Sequence, residues 1–163
     1  MPLMRSVAVA AAGLAGVLLS GGCWPSAPPP SDDVLRTRFT EQRETFEALL
    51  ALVRDNPTLQ TRGTFVLMSS DFQNAGFDAT TLERVRRLCA SIGVEMIEQQ
   101  QAGAGQVTFV TWLGDIPGPG FHAKGVAYSE TEPSGTPRQS GGMAFTEYRP
   151  LSGRWYIYEH LID

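Results

Sequence analysis

The feature that most limits how this chain can fold is an uncharged run near its N-terminus, residues 7–19, which is made of Val, Ala, Gly and Leu. At 13 residues, the run is short for a membrane-spanning helix, which needs about 20 apolar residues, but it suits the apolar region of a secretory signal peptide. Arg5 supplies the positive charge that precedes such a region. Because a signal peptide is removed on export, we expect residues 1–22 to contribute nothing to the mature domain.

The uncharged run ends in residues 18–23, LLSGGC. This segment resembles the lipobox of bacterial lipoproteins, in which small residues precede the cut and the cysteine thiol carries a diacylglyceryl group. The commonest lipobox has leucine three positions before the cysteine; here Ser20 stands there and Leu19 lies one position further back. The resemblance implies cleavage before Cys23 and a lipidated, acylated Cys23 that anchors the chain to a membrane. The alternative is an ordinary secretory signal followed by a chance cysteine.

The residues after Cys23 bear on where the protein resides and how its domain is held. Trp24 stands where the inner-membrane retention signal of bacterial lipoproteins usually has aspartate, so the resemblance implies the cell envelope, and the outer membrane in a Gram-negative host. Residues 28–30 are three prolines, which favour extended polyproline II structure. We expect residues 23–30 to form a semi-rigid tether; a proline-rich ligand for a partner protein is the alternative.

Residues 31–163 are expected to form a single domain. Removing residues 1–22 from the 163 leaves 141, enough to bury a core, and hydrophobic and charged fractions of 42% and 18% are typical of globular proteins. With Cys23 lipidated, Cys89 has no partner for a disulfide within the chain. The formal net charge of −4 argues against non-specific binding of nucleic acid, which needs clustered cations.

Two stretches have the apolar spacing of amphipathic helices. The first begins at Ser31, an N-cap followed by two acids, and ends at residues 56–57 (NP), because the residue before a proline disfavours the helical region. Its apolar positions recur at helical steps: Leu35, Phe39, Phe46, Leu49 and Val53. The second begins after Asp78 and ends at Gly93, a residue type that tolerates the left-handed conformation at helix ends.

The remaining chain alternates short β-rich segments with turns. The candidate strands are residues 63–68, 94–97, 106–113, 121–129, 143–149 and 154–161. Within residues 106–113, side chains alternate along a strand, so we expect one face to carry Val107, Phe109, Thr111 and Leu113. The order of the elements predicts an α+β fold, with two helices packed on an antiparallel sheet of about four to six strands.

The last hairpin is rich in aromatic residues. Tyr156, Tyr158 and His160 alternate onto one face of their strand, and Tyr148 is expected opposite them across the hairpin. These four residues are either ordinary cross-strand packing or a contact surface for an envelope protein or a glycan, with Lys124 at its rim. Residues 124–129 (KGVAYS) and 155–158 (WYIY) resemble segments of small, uncharacterised bacterial lipoproteins, and this resemblance implies no activity.

Residues that would carry catalysis or bind a metal do not form a recognisable motif. There are two histidines, His122 and His160, whereas zinc sites usually need three or four ligands. Residues 69–71 (SSD) follow a strand but lack the G-x-S-x-G motif of a nucleophile elbow. Cys89 lies on the apolar side of the second helix and is expected to be a buried thiol.

We therefore expect a non-enzymatic binding module with no cofactor, no metal and no catalytic residues. Its partners would be the membrane, through lipid on Cys23, and an envelope protein or glycan. Two alternatives stay open. One is an envelope hydrolase acting on cell-wall or lipid material. The other is a small-ligand carrier, which would need an apolar cavity of a few hundred cubic ångströms, expected between the helices and the sheet.

Overall fold

The computed structural model describes residues 28–61, 64–100, 105–115, 120–136 and 144–162. The expected signal peptide and Cys23 lie outside the described residues. The helices are α1 (Asp32–Glu41), α2 (Arg43–Arg54), α3 (Pro57–Thr61) and α4 (Ala79–Ile92), with a short 3₁₀ helix at Ser69–Ala75. The strands are β1 (Phe65–Met68), β2 (Met96–Gln100), β3 (Gln106–Asp115), β4 (Phe121–Tyr128), β5 (Phe145–Ser152) and β6 (Trp155–Ile162).

All six strands form one antiparallel sheet in the order β1-β2-β3-β4-β6-β5. The prediction of an α+β fold with an antiparallel sheet is confirmed. Strands that follow one another in sequence are neighbours in the sheet, except for β4 and β5. Strand β4 pairs with β6, and β5 lies beyond β6 at the edge of the sheet. Both sheet edges are therefore short or interrupted: β1 has four residues, and β5 contains Pro150, which cannot donate a ladder hydrogen bond.

The first predicted helix is divided in two, so the expectation of two helices is not confirmed. Gln42 leaves the helical region, with φ −117° and ψ 20°, and separates α1 from α2. The bend lets Phe39 of α1 and Phe46 of α2 both reach Trp155, at ring-centroid distances of 5.2 and 6.1 Å. A third helix starts after Asn56, whose side-chain oxygen accepts hydrogen bonds from the backbone of the next turn.

Side chains alternate between two faces of the sheet. The helix face packs against α1, α2 and α4 and carries Phe65, Leu67, Ile97, Val107, Phe109, Val126 and Trp155. The opposite face, called here the open face, carries Val66, Met68, Met96, Glu98, Val110, Leu113, Ala123, Ala127, Tyr148, Tyr156, Tyr158 and His160. Cys89 of α4 is buried in the core against the helix face, as predicted, and burial raises the pKa of its thiol to about 12.

A β-bulge in β3 overturns one expectation about that strand. The register with β4 shifts between Val110 and Trp112. Val107 and Phe109 contact the helices as predicted, but beyond the bulge Leu113 pairs with Ala123 and lies on the open face. An inserted residue exchanges the two faces for everything that follows it, and alternation alone does not reveal an insertion.

The open face is concave where a groove of about 490 Å³ lies on it. The hydroxyl of Tyr158 on β6 lies 3.5 Å from a carboxylate oxygen of Glu98 on β2, although β4 and β3 run between them. These strands are three spacings of about 4.8 Å, or about 14 Å, apart, so the two side chains extend towards each other along the face. Three small residues of β4, Ala123, Gly125 and Ala127, leave room for the sheet to curl around this face.

Among the described glycines, Gly125 leaves the least room for a side chain, because the backbone of β3 lies directly against it. A Cβ there would lie 2.1 Å from the carbonyl oxygen of Phe109, so Gly125→Ala should push β3 away from β4. We expect the free energy of unfolding to fall by at least about 2 kcal/mol, as for other overpacking changes. Gly153→Asn is the control: Gly153 has φ +58° with nothing within 4 Å, and asparagine tolerates this conformation, so the loss should stay below about 1 kcal/mol. Equal losses in urea denaturation would contradict this account.

Candidate functional site

An apolar groove of about 490 Å³ lies on the open face, where β1 and β2 end and β3 and β4 continue beyond them. Its walls are formed by Val66, Met68, Met96, Glu98, Leu113, Gly114, Phe121 and His160. The volume falls within the range of about 300–1,000 Å³ that is typical of small-molecule sites. The small-ligand carrier alternative predicts a cavity between the helices and the sheet, whereas the groove lies on the other side of the sheet.

The groove is lined by exposed apolar side chains. Val66, Met68 and Phe121 are 55%, 37% and 37% exposed. Val66 and Met68 are exposed because side chains alternate along β1. Phe65 and Leu67 point into the core, so Val66 and Met68 point to the open face. Large apolar side chains gathered in one concave place, rather than scattered singly, are typical of interaction sites.

A larger depression of about 570 Å³ lies between α1 and the end of α4. Its walls are mostly polar or charged, and they include Asp33, Arg38 and Glu41. Because the groove has the apolar character that small-molecule sites share, it is the stronger candidate.

Polar groups stand at one side of the groove. Thr146 Oγ1 lies 2.7 Å from Nδ1 of His160, and the His160 ring stacks on Tyr158 at a centroid distance of 6.0 Å. Burial lowers the pKa of His160, while the charge of Glu98 acts in the opposite direction. The imidazole is therefore mainly neutral near pH 7, and Glu98 is the acidic residue among the described walls of the groove.

The structure brings together the four residues expected to form a binding surface. Tyr148, Tyr156, Tyr158 and His160 all lie on the open face. Tyr158 is only 3% exposed, and burial raises its pKa. Tyr148 is half-buried and accepts a 2.5 Å hydrogen bond from Gln106 on β3. These two rings lie across the concave face as its floor, and His160 is the one of the four that lines the groove.

The sequence does not predict most of the residues that line the groove. Its pattern indicates a buried strand at residues 63–68, which include Val66 and Met68, and it places Leu113 on the wrong face. Met96 and Phe121 carry no motif of their own. A usable signal was present in β1, where all four residues are apolar (FVLM) although an edge strand buries only one side.

A cluster of charged residues lies on the helix face, behind the groove. Lys124, expected at the rim of the aromatic surface, belongs to this cluster instead and is buried. Its Nζ lies 2.9 Å from Asp32 and 3.7 Å from Glu159. Arg149 also contacts both carboxylates, at 2.7 and 2.5 Å. We call these four residues the charge cluster; His122 adds a 3.0 Å contact to Glu159.

The charge cluster joins the first turn of α1 to strands β4, β5 and β6. Burial acts to raise the pKa of Asp32 and of Glu159, but the hydrogen bonds and charges of Lys124 and Arg149 outweigh it and hold both values below their usual range. Each charge has an opposite partner, and the four side chains form a partly buried ion-pair network that joins α1 to the sheet. His122 adds a further contact to Glu159 of this network.

Other chemistry was sought across the part of the chain that the structure describes. There, no group of three or more His, Cys, Asp or Glu side chains is placed to hold a metal ion. Among the described helices, none combines the length and apolarity needed to cross a bilayer. No family model, curated protein or solved structure matches the chain.

The charge cluster predicts how stability depends on pH. The pKa values of Asp32 and Glu159 are lowered from 3.8 and 4.5, so their stabilisation is complete above those values and is lost as the pH falls through the lower folded-state values. We expect the free energy of unfolding to decline below about pH 4.5. Asp32→Asn should flatten this decline in urea titrations between about pH 2 and 5. Parallel pH profiles for the two proteins would contradict the role of Asp32.

Proposed function

We propose that this protein is a lipid-anchored envelope protein that binds the apolar part of a small ligand in the groove of its open face. The observation that carries the proposal is the concave cluster of exposed apolar side chains, Val66, Met68 and Phe121. Leaving such side chains in water is unfavourable by about 25 cal/mol per Å² of apolar surface, and a ligand that covers them recovers that free energy.

The walls of the groove favour binding over catalysis. Apart from Glu98 and His160, the wall residues that the structure describes are Val, Met, Leu, Phe or Gly, so this part of the wall supplies no serine, threonine, cysteine or lysine as a nucleophile. The negative charge of Glu98 disfavours a ligand whose free carboxylate would enter the groove. An uncharged apolar segment fits these walls best.

The second candidate is an envelope hydrolase, and one contact favours it. The hydroxyl of Thr146 lies against His160, close to the acid Glu98. A hydroxyl, an imidazole and a carboxylate are the group types of a hydrolytic triad. However, the Thr146 hydroxyl contacts Nδ1 of His160 from β5 beside the groove and is not among the wall residues, so we rank binding first.

The aromatic residues of the open face bear on where an envelope protein or glycan would bind. Tyr156 is half-buried and flanks the buried Tyr158. We propose that Tyr148, Tyr156 and Tyr158 support the groove, and that an envelope protein or glycan would contact the rim beside His160 rather than the rings of the floor.

Binding in the groove can be tested with an uncharged fluorescent probe, Nile red, and the mature chain carrying Cys23→Ser, so that no lipid competes for the dye. Met68→Glu should raise the dissociation constant at least tenfold. Loss of a buried methionine contact costs about 1.5–3 kcal/mol, and a tenfold change corresponds to about 1.4 kcal/mol. Val34→Glu is the matched control, since Val34 is exposed on α1, away from the groove. Equal affinities for all three proteins would refute the groove as a binding site.

The anchor is tested separately, in cells grown with a radiolabelled fatty acid. The wild-type protein should incorporate the label, and Cys23→Ala should abolish incorporation and leave uncleaved precursor. Normal labelling of Cys23→Ala would refute the lipoprotein proposal and would not bear on binding in the groove.

A further inference from the structure

The start of α1 lies at the same end of the sheet as the groove. Asp32, in the first turn, contacts Lys124 near the beginning of β4. Phe39, two turns later, packs on Trp155, which pairs with Tyr128 at the end of β4. Helix α1 therefore runs from the beginning of β4 towards its end, and the chain that precedes it leaves where β4 begins.

The groove opens at that end as well. Phe121 and Ala123 precede Lys124 on β4, and His160 pairs with Ala123. The charge cluster and this part of the groove thus involve adjacent residues of β4 and β6, but they lie on opposite faces of the sheet. Since the cluster clamps Asp32 to β4, β5 and β6, the point where the tether joins the domain is fixed relative to the groove.

The tether limits how far the domain can move from an anchored Cys23. Nine residues lead from Cys23 to Asp32, the first residue held by the charge cluster, and nine residues span at most about 32 Å even when fully extended. If Cys23 carries lipid, as proposed above, the tether end of the sheet stays within that distance of the bilayer surface. Phe121 lies at that end of the groove, whereas Val66 is in register with Ala127 near the other end of β4, so the groove would admit lipid from the side of Phe121.

From this placement we propose that the groove takes an acyl chain of a bilayer phospholipid while the protein is anchored; the inference rests on the proposed function. The chain is esterified, because the acyl chains of the bilayer beside an anchored protein are those of phospholipids. Among the described residues that line the groove, none is a lysine or arginine that could bind a phosphate. The head group therefore stays outside, and the apolar walls cover the hydrocarbon.

The test uses the full lipidated protein in phosphatidylcholine vesicles that contain a phospholipid with a diazirine near the end of one acyl chain. After irradiation, mass spectrometry maps the adducts. We expect them on Met68, Leu113 and Phe121, and we expect Met68→Glu to reduce their yield at least tenfold. Val34→Glu places the same charge on the first turn of α1, near the same tether, and should leave the yield unchanged. Circular dichroism checks that each variant is folded.

A second variant tests proximity to the bilayer. Inserting 20 Gly/Ser residues between Ala27 and Pro28 should lower the adduct yield several-fold, because a longer flexible linker lowers the effective concentration of the bilayer near the groove. The same insertion should leave Nile red binding unchanged. An unchanged adduct yield would overturn the role of the short tether.

The outcomes separate this proposal from the one on which it rests. Groove adducts that Met68→Glu removes support both. Nile red binding that depends on Met68, without adducts in the groove, overturns the acyl-chain proposal and leaves the binding module intact. Adducts spread equally over Val34 and the groove also overturn it, because they report contact with the bilayer rather than occupancy. Absence of both dye binding and adducts removes both proposals.

Discussion

The close approach of β3 and β4 at Gly125 is the constraint on which the rest of the structure depends. The β3 backbone leaves no room there for a side chain, and the bulge beside it shifts the register. Together with the alanines on either side of Gly125, this approach lets the sheet curl. The convex side takes the aromatic core of Phe39, Phe46 and Trp155, and the concave side becomes a groove.

The charge cluster gives the start of α1 a fixed position on the sheet. Ion pairs that are partly removed from water seldom add much net stability, because desolvation offsets their attraction. Here they hold the first turn of α1 against β4 and β5 through Asp32. The groove and the start of α1 consequently have a defined relation.

The sequence pattern predicted much of the fold and less of the site. Alternation placed Tyr148, Tyr156, Tyr158 and His160 correctly on one face, because no insertion interrupts β6 and its hairpin partner pairs with it residue for residue there. It failed in β3, where the bulge moved Leu113 to the opposite face. Helical spacing found the core positions of α1 and α2 but not the break at Gln42, since a bend between two amphipathic segments preserves their apolar spacing.

What the sequence alone determined is local: the caps at Ser31 and Asp78, the apolar faces, the strand segments and the expectation of a lipid anchor at Cys23. These follow from near neighbours along the chain, whose geometry is set by periods of 3.6 and 2 residues. Tertiary structure decided what depends on strand order. The groove joins Met68 to Phe121, and the charge cluster joins Asp32 to Lys124 and Arg149. Residues so far apart meet only after the sheet has assembled and curled, and no spacing along the chain encodes that curvature.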